Sequence, residues 1–90
     1  METTRRPHPW VFEFEVEEDA DHCVFVVHLQ VGDRDLYGRG QSRRNPSDPE
    51  VPRIGEELAA ARALQDLAQH LTHDAWAAIE EFQITRETAD

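Results

Sequence analysis

The sequence predicts an α+β domain: a three-stranded antiparallel β-meander followed by one or two helices packed on one face of the sheet, in the order β-β-β-α-α. Two observations predict this class. Before residue 44, three segments separated by turn residues have the period-two pattern of strands, and the first of them alternates apolar and polar side chains cleanly. After residue 53, apolar residues recur every three or four positions, as on one face of a helix. Strands that all precede the helices indicate an antiparallel sheet covered on one side.

The first strand is predicted over Trp10 to Val16, where aromatic or aliphatic residues occupy every second position. The face expected to point into the core consists of four large apolar side chains: Trp10, Phe12, Phe14 and Val16. The opposite face is mostly acidic and consists of Val11, Glu13, Glu15 and Glu17. The polar residues at 18–21 then form a turn.

The second and third strands are predicted over His22 to Val31 and about Leu36 to Arg43, with a hairpin loop at Gly32 between them. The inward face of the second strand consists of Cys23, Phe25, Val27, Leu29 and Val31. On the third strand, Gly38 and Gly40 share one face. Two glycines offer no side chains for packing, so they indicate a bulge or the close approach of a covering helix.

The helical region is predicted to begin at Ile54, after a segment with three prolines that favours a loop over 45–53. We expect two helices with a bend between Leu71 and Asp74, because Thr72 or Asp74 is able to cap a new helix. One continuous helix of about 30 residues is the alternative.

The chain is expected to form one domain over residues 10–84, with flexible tails at 1–9 and 85–90. A chain of this size buries only about 64% of the surface that it exposes when unfolded. The apolar gain from that burial roughly equals the entropy lost on folding. The monomer is therefore expected to be marginally stable, and a partner would stabilise it.

The composition is strongly acidic, with a net charge of −10, and all nine basic residues are arginine. Such a charge repels polyanions at long range. Cys23 is the only cysteine, which excludes an internal disulfide and suits a reducing compartment. The longest apolar run, Val24 to Val27, is too short for a signal peptide or a membrane span. We therefore expect a cytoplasmic protein without membrane contact.

Four arginines are concentrated between Leu36 and Ile54, where only two acidic residues oppose them. This arginine cluster consists of Arg39, Arg43, Arg44 and Arg53. It predicts a site that binds phosphate or the carboxylates of a partner. The alternative is that these arginines pair within the chain, with Asp48, Glu50, Glu56 and Glu57.

Patterns for metal binding and catalysis are weak in this sequence. Asp66, His70 and Asp74 recur every four residues, a spacing that is able to hold a metal ion on one helix face, but a solvated face is the commoner meaning of such a spacing. Cys23 belongs to the inward series of the second strand, where a thiol is inert rather than nucleophilic. We expect no enzyme, no cofactor and no metal site.

The face of the sheet turned away from the helices is predicted to expose an apolar stripe. The stripe consists of Val11, Val24, Val26 and Tyr37. An exposed apolar patch favours an interaction site. We therefore expect a homodimer, or a complex with another protein, that forms through this stripe or through an exchanged terminal helix.

Several short motifs together resemble one family. They are Gly38-Arg39-Gly40, Arg43-Arg44-Asn45-Pro46, Asp48, Ile54-Gly55-Glu56-Glu57-Leu58-Ala59 and Arg62-Ala63-Leu64-Gln65-Asp66-Leu67. Over roughly Trp10 to Ile79, the sequence is similar to a family of small bacterial proteins of unknown function with a double-stranded-RNA-binding-domain-like (dsRBD-like) fold, likened to ribosome hibernation promoting factors. The resemblance implies a sheet backed by helix, a homodimer and a ribosome-linked stress role, and it does not imply an enzyme.

Binding to the ribosome or to structured RNA through the arginine cluster is the alternative function. Three features oppose it: the net charge of −10, the absence of lysine and the acidic start of the helix at Glu56 and Glu57. Recognition of RNA depends on neutralising several phosphates, which an acidic chain does poorly.

Overall fold

The structure, a computed structural model, describes residues 7–88, with side chains through residue 83. Three strands precede one helix: β1 (Trp10–Glu18), β2 (His22–Val31), β3 (Arg34–Arg43) and α1 (Pro52–Thr88). The strands form one antiparallel sheet in the order β1-β2-β3, and α1 packs on it. The predicted α+β class and β-meander are therefore confirmed.

The central strand β2 pairs along its whole length with both neighbours. Trp10 of β1 lies opposite Val31 of β2, and Val31 lies opposite Arg34 of β3. Residues directly opposite each other share a face of the sheet. The register therefore places the predicted inward rows of the three strands on one face and their outward rows on the other. Gly32 closes the second hairpin with a φ of 59°, a left-handed conformation that glycine adopts without steric cost.

Asp19 makes several of the hydrogen bonds that hold the turn between β1 and β2, and its backbone N–H donates to the carbonyl oxygen of His22 (2.9 Å). The carboxylate of Asp19 accepts hydrogen bonds from the backbone N–H groups of Asp21 (2.9 Å) and His22 (2.8 Å). These two bonds favour the charged form and lower the pKa of Asp19 below its ordinary value. The charged carboxylate of Asp19 therefore stabilises the turn that joins β1 to β2.

The hydrophobic core lies between α1 and the inner faces of β2 and β3. Its buried members are Val27, Leu29, Leu36, Ala63 and Leu67. Phe25, Val31 and Leu71 pack against these residues and are only partly buried. The core is small because one helix covers only part of the sheet.

The two glycines of β3 allow α1 to approach closely. A Cβ atom on Gly38 would overlap the carbonyl oxygen of Ala63, and one on Gly40 would overlap that of Ala59. The helix contributes alanines at the same contact, so backbone meets backbone there. Both ladders of β2 are continuous, and the prediction of a covering helix at these glycines, rather than a bulge, is confirmed.

The helical region forms one helix, so the expected bend between Leu71 and Asp74 is wrong and the continuous alternative is confirmed. Thr72 bonds back to the carbonyl oxygen of Ala68 (3.0 Å) instead of capping a new helix. Asp74 instead pairs with Arg34 of β3. Neither side chain therefore caps a new helix, and α1 continues through this segment.

The described backbone extends into both predicted tails. Residues 7–9 form no helix or strand, whereas α1 continues through Thr88 and so includes part of the segment 85–90. The remainder of the two predicted tails, 1–6 and 89–90, lies outside the described residues. Asp74 lies beside Arg34, the first residue of β3, so the helix from residue 75 onward projects beyond the sheet.

The inward series of β1 is not buried, which corrects the prediction of a half-buried strand. All nine residues of β1 are exposed. The exposed fractions of the four apolar residues are 51% for Trp10, 45% for Phe12, 47% for Phe14 and 45% for Val16. The backbone of the helix packs against β2 and β3 but not against β1, which it meets at the end of the strand through the side chains of Glu56 and Glu18. The helix therefore leaves the apolar side of β1 uncovered.

Candidate protein-interaction surface

A large exposed apolar surface lies on β1, on the same side of the sheet as the helix. We call it the β1 face, and it consists of Trp10, Phe12, Phe14 and Val16. Phe14 makes an edge-to-face contact with Phe25 of β2, with ring centroids 5.7 Å apart. Because Phe25 is only partly buried, the apolar surface continues from β1 toward the helix.

Three side chains of α1 bind the open edge of β3 and fix the rotation of the helix. We call them the β3 clamp. Arg62 donates to the carbonyl oxygen of Gln41 (2.7 Å), and the carboxylate of Asp66 accepts from the backbone N–H of Arg39 (2.9 Å). His70 lies 2.6 Å from the carbonyl oxygen of Tyr37. These bonds satisfy backbone groups that an edge strand otherwise presents to other chains.

The opposite flank of α1 therefore points toward β1. The clamp lies on one side of the buried residues Ala59, Ala63 and Leu67, and an advance of about 100° per residue places a second row on the other side. We call this row the helix seam, and it consists of Ala61, Leu64, Ala68, Leu71, Ala75, Ala78 and Phe82. Except for the partly buried Leu71, these residues are exposed. The β1 face and the seam residues up to Leu71 therefore flank an open apolar strip of the sheet, and the seam continues beyond the sheet from Ala75 onward.

The structure does not bring the four predicted arginines into one patch. Arg53 pairs with Glu57 one helical turn away (2.8 Å), and Arg44 pairs with an aspartate at the end of the sheet. Arg39 and Arg43 project from the face of the sheet without the helix, which we call the far face. Within the part of the chain that the structure describes, neither forms an ion pair. Internal pairing therefore accounts for two of the four arginines, and of these Arg53 has a predicted partner, whereas Arg44 pairs with Asp21, which is not among the predicted acidic residues.

The predicted dimer stripe lies on the far face, as expected, but charges interrupt it. Its members Val11, Val24, Val26 and Tyr37 are exposed or half-buried. Val26 lies between Glu15 of β1 and Arg39 of β3. The ring of Tyr37 stacks on His28 at a centroid distance of 4.5 Å. The far face is therefore mixed, whereas the β1 face is uniformly apolar.

A cavity of about 260 Å³ opens where the sheet ends and α1 begins. Val51 and Ile54 form part of its apolar wall, and Arg44 lies on its polar side. The guanidinium of Arg44 donates to the carboxylate of Asp21 (2.6 Å) and to the carbonyl oxygen of Asp48 (2.8 Å). Its buried Nε finds no partner among the described residues. The charge of this arginine is thus already engaged within the chain.

The candidate metal and nucleophile residues have structural roles. Asp66 and His70 belong to the β3 clamp, and Asp74 pairs with Arg34. No group of three metal-binding side chains occurs between residues 7 and 83. Cys23 is 3% exposed, and its burial raises the pKa of the thiol, with a smaller contribution from nearby carboxylates. A buried thiol held in its neutral form is a poor nucleophile.

The fold defines a class of small α+β domains in which one long helix covers part of a three-stranded sheet and leaves an edge strand exposed. The chain belongs to the Rv2632c-like family, whose model matches residues 8–89. This match confirms the predicted membership in a family of small bacterial proteins of unknown function. The likeness to dsRBD proteins and hibernation factors stays a prediction.

The relatives are mycobacterial. The chain is 36% identical over 69 residues to the uncharacterized protein Mb1767 of Mycobacterium bovis, covering 72% of this chain and 73% of that protein. It is 41% identical over 56 residues to the uncharacterized protein Rv2632c of Mycobacterium tuberculosis, a match that covers 62% of this chain and 60% of that protein. The crystal structure of Rv2632c superposes with a TM-score of 0.78 at 32% identity, over 88% of this chain and 94% of that one. The fold is therefore shared with a solved structure.

Within residues 7–88, no helix combines the length and the apolar character needed to cross a membrane.

Sequence reasoning found the apolar residues of β1 but assigned them to the core. Their alternation is the same whether a helix covers them or not. The available signal was the number of helices: a single helix covers about two strands, because helices pack about 10 Å apart and strands lie about 4.8 Å apart. One of three strands then stays uncovered.

Proposed function

We propose that this protein is a non-enzymatic, cytoplasmic interaction protein that acts as a homodimer. The observation that carries the proposal is the β1 face, where four large apolar side chains are each about half exposed. Aromatic side chains bury about 150–250 Å² each when covered. At about half exposure, the three aromatic side chains and the valine offer roughly 300–450 Å², which is within the range of the largest apolar patch of a typical monomer, and a patch of that size is often an interaction site.

The proposal is tested by sedimentation equilibrium at micromolar concentration with one variant on each face of the sheet. Phe14→Glu places a charge on the β1 face, and Val26→Arg places one on the far face. We expect the wild-type protein and Val26→Arg to be dimeric and Phe14→Glu to be monomeric, because burying an unpaired charge is costly.

Two results would change the proposal. A wild-type protein that stays monomeric at these concentrations would reject the homodimer. If Val26→Arg dissociates while Phe14→Glu stays dimeric, the stripe of Val11, Val24, Val26 and Tyr37 is the dimer surface instead. Circular dichroism of both variants checks that each keeps its fold, so that loss of the dimer is not loss of structure.

Binding to the ribosome or to another structured RNA is the second candidate, and with it the stress role that the resemblance implies. It is favoured by Arg39 and Arg43, which project from the far face and form no ion pair within the described chain. A dimer formed through the β1 face would leave this far face accessible. The net charge of −10 opposes it.

The RNA candidate is tested by measuring binding to ribosomal particles at low and moderate salt. Phosphate contacts predict an affinity that falls as salt rises. The double variant Arg39→Ala and Arg43→Ala is expected to weaken binding, whereas Arg53→Ala, which removes an arginine already paired with Glu57, is the matched control. Equal affinity at both salt concentrations would reject this candidate.

A further inference from the structure

We propose that the open apolar strip between the β1 face and the helix seam is filled by α1 of a second copy, running antiparallel to the first helix. This inference rests on the proposed homodimer and specifies how it forms. Each copy then covers the β1 face of the other. Such a contact is self-complementary and closes as a two-fold symmetric dimer.

The spacing of the helix seam fits a helix as the occupant. Its residues recur at alternating intervals of three and four: Ala61, Leu64, Ala68, Leu71, Ala75, Ala78 and Phe82. This is the repeat by which two helices interlock their side chains. Four of the seven residues are alanine, which allows helix axes to approach toward the short end of the usual 8–10 Å range. A second copy offers the same row.

The lengths of the two surfaces match. The helix projects beyond the sheet from residue 75 to Thr88, a distance of about 21 Å at about 1.5 Å per residue. From Trp10 to Val16 the β1 face spans about 20 Å at about 3.3 Å per residue. The projecting end of one helix is therefore long enough to cover the β1 face of the other copy.

The position of the projection also fits a reciprocal contact. The helix leaves its own sheet at the end where Arg34 begins β3, and Trp10 lies at this same end because it shares a row with Val31 and Arg34. A two-fold axis perpendicular to the sheet at this end places the two sheets end to end. It also directs each projecting helix toward the partner's Trp10 and Phe12.

Pairing of two β1 edges into a continuous sheet is the competing arrangement, and charge opposes it. Glu13, Glu15 and Glu17 lie on the far face of β1. An antiparallel pair of β1 strands would place two such rows beside each other, and like charges at facing positions destabilise a sheet. Charged residues on an edge strand are a common protection against this pairing. Packing over the β1 face avoids the repulsion.

The inference is tested by disulfide cross-linking of full-length protein in which Cys23 is replaced by alanine. Phe12→Cys and Phe82→Cys are prepared as separate variants, mixed and oxidised. We expect a shift to the dimer mass on a non-reducing gel, because the geometry of a disulfide requires Cα atoms within about 7 Å. Mixing Val26→Cys with Phe82→Cys is the matched control, since Val26 lies on the far face.

A second measurement uses the unmodified wild-type protein. Hydrogen exchange is followed at concentrations above and below the dimer midpoint found by sedimentation. We expect slower exchange in β1 and in the helix from residue 75 onward at the higher concentration, with the edge of β3 unchanged. Slowing confined to β2 and β3 would overturn the docking mode.

The outcomes separate this inference from the homodimer on which it rests. A dimer in which Phe12→Cys links to Phe82→Cys supports both. A dimer that cross-links only through Val26→Cys overturns the docking mode and retains the homodimer. A wild-type monomer overturns both.

Discussion

At the scale of single residues, Gly38 and Gly40 determine how closely the helix lies on the sheet. We expect Gly38→Ala or Gly40→Ala to lower the free energy of unfolding by about 1–3 kcal/mol, the usual cost of overpacking, because the added Cβ would overlap backbone atoms of α1. Urea denaturation measures the change. Gly32→Ala has open space around the added Cβ but a positive φ, so its expected loss of roughly 1–2 kcal/mol has a conformational cause instead of overpacking. Unchanged stability at Gly40 would contradict the close approach.

Glu18 makes stability depend on pH. A hydrogen bond with the carboxyl group of Glu56 raises the pKa of Glu18 above its ordinary value of 4.5, with smaller contributions from desolvation and from the charge of Glu56. The folded chain therefore holds a proton more tightly than the unfolded chain, and stability falls as pH rises through the raised pKa. We expect Glu18→Gln to be more stable than wild type at neutral pH.

That advantage of Glu18→Gln is expected to vanish in acid, where Glu18 of the wild type is protonated. Denaturation curves at neutral and acidic pH measure it. Glu17→Gln removes the same charge from the far face of the same strand and serves as the control. An equal gain in both variants would show that net charge alone, rather than the contact between Glu18 and Glu56, accounts for the effect.

At the scale of elements, the β3 clamp sets where the helix lies. We expect Asp66→Ala to destabilise the protein by about 1 kcal/mol, a typical net value for one lost hydrogen bond, because it removes the acceptor that pairs with the backbone N–H of Arg39. It also reopens part of the β3 edge, so faster aggregation is expected. Thermal denaturation and light scattering measure the two effects. The exposed Gln65→Ala on the same helix is expected to change neither.

At the scale of the whole molecule, net charge opposes the proposed dimer. Each copy carries −10, and salt screens repulsion beyond a Debye length of about 10 Å at 0.1 M. We therefore expect the dimer dissociation constant to fall as salt rises from about 0.02 M to about 0.2 M. Sedimentation at both salt concentrations measures it. Dimerisation that weakens with salt would instead indicate attraction between the acidic and basic rows of the two far faces.

The sequence by itself determined the strands, their inward and outward rows, the loop and the helical period, because each follows from local alternation and local turn chemistry. At Gly38 and Gly40 it left a bulge and a close neighbour as alternatives, and the structure shows the close neighbour. The sequence did not determine whether the helix bends at Thr72, because a capping side chain is able to bond back to its own helix instead.

Only the tertiary structure decided which apolar row is buried. The sequence predicts a buried row on β1, which consists of Trp10, Phe12, Phe14 and Val16. The helix instead packs on β3 at the two glycines and is fixed there by the hydrogen bonds of the β3 clamp. One helix is too narrow to cover three strands, so the β1 face remains open. Burial depends on where the covering element lies, and that position is set by contacts between residues far apart in the chain.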